Sequence, residues 1–137
     1  SQDAHLVLHD RGGELLPDVF VARGEAVVLF GGQMVSWMDI SASKAVHRFL
    51  KDTNADAALT RAIDAIEFKE PVHVGNWVNF EAKIISTGRS SIHIQIDAYK
   101  ETKELDKLLA CTARFTFVSV KKLQDGTYEK VDHNKTV

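Results

Sequence analysis

Apolar residues fall into two periods along the chain. Met34, Val35, Trp37, Met38, Ile40, Ala42, Ala45, Val46 and Phe49 recur at helical spacing. They predict roughly four or five turns of α-helix from Gln33 to Leu50. In the first half they cover almost the whole circumference, so that half is expected to be buried all round. Polar residues gather near the end, at Lys44, His47, Arg48 and Lys51, where cations suit the negative end of the helix dipole. After a loop at 52–57 the period changes to two. Residues 60–68 and 77–86 read as strands. Ile92, Ile94, Ile96 and Ala98 then alternate with His93, Gln95 and Asp97, the pattern of a half-buried strand. Residues 108–120 read as a long strand with Cys111, Ala113, Phe115 and Phe117 on one face. Turns fall at 71–76 and 87–90, a charged hairpin loop at 101–106, and a surface turn at 124–127, after which the end reads as a tail. Ahead of the helix, Leu6-Val7-Leu8 and Val19-Phe20-Val21 read as one or two short strands around a turn at Gly12-Gly13.

One largely buried helix followed by antiparallel strands specifies an α+β fold in which a curved sheet wraps the helix. The edges and outer face of such a sheet need cover, which favours a homo-oligomer. The length of 137 residues suits one domain spanning 1–137, or one domain of a longer chain. Hydrophobic residues at 45% and charged residues at 26% argue against disorder, and a net charge of −2 gives no footprint for nucleic acid. No apolar run approaches the ~20 residues of a membrane span, and Ser1-Gln2-Asp3-Ala4-His5 lacks the pattern of a signal peptide. Cys111 is the single cysteine, expected as a small buried hydrophobe in a reducing, cytoplasmic compartment rather than as a nucleophile. The six histidines show no metal-ligand spacing, and no P-loop or nucleophile-elbow motif occurs.

The odd residue of the helix is Asp39. Its helical neighbours Val35, Ser36, Ala42 and Ser43 include no cation. A carboxylate in an apolar helix needs a polar cavity or a partner. It is either a catalytic group or an Asp bonded to a neighbouring strand or across a subunit interface. Gly31-Gly32 precedes it with no Ser, Thr, Asp or Asn at the N-cap. Uncapped N–H groups there could stabilise an oxyanion, although a strand-to-helix turn that simply requires glycine reads the same way. Thr87-Gly88-Arg89-Ser90-Ser91 offers a guanidinium, hydroxyls and a glycine turn that could grip phosphate, or could be an ordinary hairpin.

Phe30-Gly31-Gly32-Gln33-Met34-Val35-Ser36-Trp37-Met38-Asp39 resembles the signature of hotdog-fold acyl-CoA thioesterases of the YciA and cytosolic acyl-CoA hydrolase type. In that signature an acid follows seven residues after the second glycine. Residues 59–76, with Pro71 and Gly75, resemble the family's next strand and turn. Thr87 to Ile92 resembles its CoA-side turn, and Phe115 to Val118 its last core strand. The resemblance covers residues 24–120. It implies a long helix wrapped by a five- or six-stranded antiparallel sheet, and a homodimer with active sites at its interface, often a trimer of dimers. It further implies Asp39 as catalytic carboxylate and Gly32 as the amide that polarises the thioester carbonyl. Thr60 would act from the partner subunit to orient water or the carboxylate. Gly31, Gly88, Arg89, Ser90 and Ser91 would contact CoA, which belongs to the substrate; no separate cofactor or metal is implied. Trp37, Met38, Phe68 or Phe80 would line the acyl tunnel. One departure stands out: many members carry Asn where this chain has Gly24.

The resulting expectation is an acyl-CoA hydrolase in which Asp39 activates water, with a covalent anhydride through Asp39 as the alternative route. A non-catalytic acyl-CoA-binding module is the competing reading. A dehydratase would want a His beside the carboxylate, and the apolar half of the helix has none.

Overall fold

The strict alternation of one strand decides where the core lies. In a computed structural model of the chain, the described residues are 2–7, 19–21, 27–29, 31–73, 76–101 and 107–136. They form β1 (Gln2–Val7), β2 (Val19–Val21), β3 (Val27–Leu29), α1 (Gly31–Phe49), β4 (Ala57–Phe68), β5 (Trp77–Thr87), β6 (Ser91–Glu101), β7 (Lys107–Lys122) and β8 (Tyr128–Lys130). Along β6 every second residue from Ile92 to Lys100 is buried. β6 sits at the centre of an antiparallel sheet ordered β1-β5-β6-β7-β4, with β8 added to β7. Its register lines up bulky and small rows across the sheet: Ile84, Ile94, Phe115 and Ile63 in one, Ala82, Ile96 and Ala113 in the next.

α1 lays Met34, Met38, Ala42, Ala45 and Val46 against these rows, and the combined residues form one core cluster. Each large side chain buried there contributes about 1.5–3 kcal/mol. The helix ends where Leu50 still bonds to the Val46 carbonyl, Thr53 caps the Leu50 carbonyl through both its N–H and its hydroxyl, and Asp52 takes a left-handed φ of 66°. This is a C-terminal stop of the αL kind. The helix is expected to start at Gln33 and starts at Gly31. Strands β4, β5 and β7 run one to three residues beyond their expected limits.

Three expectations need correction. The first half of α1 is not buried all round: Gly32, Ser36 and Ile40 are exposed, Ile40 to 50%. The sheet covers only one side of the helix, and the stripe continuing through Ser43 and His47 faces out of the chain. Secondly, the end is no tail. Asp125-Gly126, with Gly126 at φ 89°, closes a hairpin from β7 into β8, and His133 beyond it is 2% exposed. Thirdly, β1 pairs with β5, while β2 pairs with β3, a strand absent from the sequence reading. The Gly12-Gly13 turn, Gly24 and the loop at 102–106 lie outside the described residues. No helix among the described residues is long and apolar enough to cross a membrane.

Cys111 is fully buried, opposite Ala98 and Phe68. Burial, with the negative charge of Asp97 adding to it, pushes its thiol up to about 11. Between about pH 9 and pH 11 the unfolded thiol loses its proton while the folded one keeps it. Stability attributable to this group is therefore present below pH 9 and declines as pH rises through that window. An aromatic disulfide reagent at pH 8 is expected to leave the native thiol unmodified and to label it fully in guanidinium. Rapid labelling of the native protein would contradict this environment.

Candidate active site

The elements around Asp39 follow from chain geometry. From Asp39 to the end of α1 the helix advances roughly 15 Å. The chain then turns, and β4 climbs back at roughly 3.3 Å per residue. Thr60, early in β4, returns to the level of Asp39, and its hydroxyl donates to Asp39 Oδ1 at 2.7 Å. A register irregularity follows at once, between Thr60 and Ala62. A bulge of this kind shifts the alternation, so that Thr60, still exposed, reaches α1 while Ile63, three residues on, packs on the core. Asp39 itself is half-buried, on the border between the core-facing and open stripes of α1. The resemblance implied Thr60 acting from the partner subunit; here the bond is made within one chain, because β4 directly follows the helix that carries Asp39.

The start of α1 is a separate region. Its first turn holds no acid, so no carboxylate within that turn offsets the positive helix end. Gly31 lies so close to the Phe68 ring that an added Cβ would sit 3.2 Å from it. Beside it opens a cleft of about 350 Å³ whose walls are Gly31, Met34, Pro71, Val72, Ala110 and the stretch from Phe68 to Glu70, which brings the charged Lys69 and Glu70 to it. Of the four residues expected along an acyl tunnel, Phe68 lines this cleft and is 58% exposed. Met38 and Phe80 are fully buried in the core, and Trp37 is half-buried. Gly32 and Asp39 fall on nearly the same side of α1 but about 10 Å apart along its axis.

The turn between β5 and β6 lies at the Thr60 end of the sheet: Ser91 is aligned with Val118, and Val118 with Leu59. The Gly88 N–H donates to the Ser91 hydroxyl at 3.0 Å and to the Ser91 carbonyl at 3.1 Å. Arg89 is exposed and makes no ion pair among the described residues. The turn and the Thr60–Asp39 pair thus lie at one end of the sheet with β7 between β6 and β4, whereas Gly31 and Gly32 sit toward the other. Sequence reasoning missed Ser119 and His133, which bind this turn from behind. The Asp125-Gly126 pair was the available signal that the chain folds back there.

A long helix wrapped by a six-stranded antiparallel sheet is the hotdog architecture. The chain aligns with a hexameric hotdog-fold thioesterase of Campylobacter jejuni at TM-score 0.62, covering 77% of each chain at 23% identity. It aligns with a hexameric thioesterase of Yersinia pestis at TM-score 0.72, covering 93% of this chain and 92% of that one at 26% identity. Residues 27–107 match the Thioesterase superfamily, and the chain belongs to that family. It is also similar to an uncharacterized acyl-CoA thioester hydrolase of Zymomonas mobilis, 29% identical over 93 residues, 67% of this chain. The matched stretch spans 60% of the length of that relative.

The Gly88–Ser91 contact gives a direct test of the turn. A Cβ at position 88 would collide with the Ser91 hydroxyl, forcing it to rotate and lose its bond to the Gly88 amide. Gly88→Ala is expected to cost about 1 kcal/mol, read from the shift in a denaturant midpoint. In a Ser91→Ala background the same change should be nearly neutral. Equal losses in both backgrounds would show that the collision is not the cause.

Proposed function

We propose that this protein hydrolyses acyl-CoA thioesters, and that Asp39 activates the attacking water. The observation that carries the reading is the 2.7 Å bond from the Thr60 hydroxyl to Asp39 Oδ1. It holds one carboxylate oxygen and leaves the other to take a proton from water. The thiolate of CoA is a good enough leaving group to depart without strong acid catalysis.

A carbonyl attacked at Asp39 needs hydrogen-bond donors within about 3 Å of the developing oxyanion. Gly32 of the same chain is two helical turns away, so the donor comes from a second copy. The open face supports this. β4 has no strand on its outer side among the described residues and exposes Leu59 to 46%, Ile66 to 38% and Phe68 to 58%, with Ile40 beside them. A twofold axis across this face sets two α1 helices antiparallel, which brings Gly32 of the partner subunit toward Asp39. The active unit is then a homodimer, and dimers assemble further into a trimer of dimers; the Yersinia thioesterase is named hexameric. The cleft at Gly31 and Phe68 takes the acyl tail on its apolar wall of Met34, Phe68, Val72 and Ala110. Arg89, with Ser90 and Ser91, holds the phosphates of CoA. No residue at Gly24 replaces the Asn of other members in this account; the Thr60 hydroxyl does the orienting.

Asp39→Asn is expected to lower kcat with acyl-CoA by about 10³-fold, with CoA affinity preserved. Thr60→Val, which frees the carboxylate to rotate, should cost about tenfold in kcat, the equivalent of one hydrogen bond to a charged group. Thiol release measured across acyl chain lengths reads both. Near-normal turnover in Asp39→Asn would remove Asp39 from the mechanism. CoA binding without thiol release from any chain length would favour a binding module.

A further inference from the structure

The segment from Val131 to Lys135 is built into the fold by the backbone it holds. The His133 N–H donates to the Arg89 carbonyl at 3.0 Å, and His133 Nε2 lies 3.1 Å from the Ser91 carbonyl. Between them the Ser90 carbonyl accepts from the Ser119 N–H at 2.7 Å, with the Ser119 hydroxyl 3.2 Å away. Three successive carbonyls of the β5–β6 turn are therefore held from behind by two residues, Ser119 at 0% and His133 at 2% exposure. The Ser119 hydroxyl also lies 2.6 Å from the Val131 carbonyl, and the Val131 N–H reaches the Ser119 carbonyl at 3.1 Å.

The imidazole is fixed as firmly as the backbone. Lys135 N–H can only donate, so His133 Nδ1, 3.0 Å away, is the acceptor. The Ser91 carbonyl can only accept, so Nε2 carries the donated proton. The ring meets Phe49, the last residue of α1, edge-on at 5.7 Å and 78°. Lys135 Nζ donates to the Phe49 carbonyl at 2.8 Å. The turn, the end of the helix and the C-terminal segment are thereby joined at one residue. Alongside lies a polar cleft of about 450 Å³ whose walls include Lys51, Thr53, Asn54, Asn134 and Lys135, with Asp52 as the opposing charge.

We propose that His133 is a positioning residue for the nucleotide end of CoA: it holds the Arg89–Ser91 turn so that Arg89 and the cleft beside Lys51 and Lys135 face the phosphates together. The inference rests on reading that turn as the phosphate-binding turn. It adds that the C-terminal segment, outside the 27–107 family match, sets affinity for CoA without entering the chemistry. Charge-assisted donors to phosphate are effective only when held in place.

The test uses the whole protein and two ligands. His133→Phe keeps the ring against Phe49 and removes both hydrogen bonds of the imidazole; His133→Gln restores a side-chain donor. His133→Phe is expected to raise the calorimetric Kd for CoA and the KM for acyl-CoA about tenfold, with kcat little changed. Its kcat/KM for the matching acyl-pantetheine, which lacks the nucleotide, should match wild type, and His133→Gln should recover most of the CoA affinity. Unchanged CoA affinity in the variant overturns the proposal. So does an equal loss with acyl-pantetheine, which would mark a general structural role, and so does a wild-type protein that does not bind CoA. If wild type binds CoA but hydrolyses nothing, the hydrolase reading fails, and the CoA Kd alone decides the role of His133. Should His133→Phe fail to fold, Ser119→Ala removes only the hydroxyl that ties the Val131 carbonyl of the C-terminal segment to this turn. The same split between ligands is then expected, and the same results overturn it.

Discussion

Two turns of helix separate the amides at the start of α1 from the carboxylate of Asp39, and no rearrangement inside one chain closes that gap. A rigid rise of about 1.5 Å per residue fixes it. Both groups belong to nearly the same side of the helix, Gly32 exposed and Asp39 at the border of the face left open by the sheet. The core side is full: Met34, Met38, Ala42 and Val46 pack against β5, β6 and β7 with little or no exposure. The open side carries an acid, two small hydroxyl residues and an exposed isoleucine, next to an edge strand that shows three large apolar side chains. Such a face is costly in water unless another surface covers it, and the proposed twofold pairing answers the cost and the gap together.

Much of this was legible in the chain. The period of two in β6 and the apolar face of β7 appear directly as buried Ile92, Ile94, Ile96, Phe115 and Phe117, because the core-facing side of a sheet strand leaves an alternation that needs no neighbour to interpret. Asp39 stood out because it lacked a cation at helical spacing. Its bond to Thr60 spans 21 positions and depends on how far β4 climbs back, so spacing could not reveal it. The resemblance assigned Thr60 to the partner; the α1-to-β4 reversal brings it home to its own chain. Apolar content likewise overstated burial in α1, since composition cannot say which side of the helix the sheet leaves open.

The C-terminal segment was illegible for a different reason. Tyr128 to Lys135 is mostly polar, and its anchors are backbone carbonyls at Arg89, Ser91 and Ser119. A histidine buried to satisfy main-chain acceptors leaves no periodic trace, and such acceptors must be satisfied wherever they are buried. Two distant stretches of sequence, each unremarkable alone, thus share one small hydrogen-bonded block at the end of the sheet that also carries Thr60.

The central claim is that each site takes its carboxylate from one subunit and its oxyanion amide from the other. Subunit mixing tests it directly. Gly32→Pro removes the amide N–H at a first-turn position where proline is tolerated, and Asp39→Asn removes the carboxylate; each variant alone should be nearly inactive. If the site is shared, a heterodimer of the two contains one intact site, and refolding equal amounts together should restore acyl-CoA hydrolysis to about a quarter of wild type, as random pairing requires. A mixture no more active than its parts would contradict the shared site.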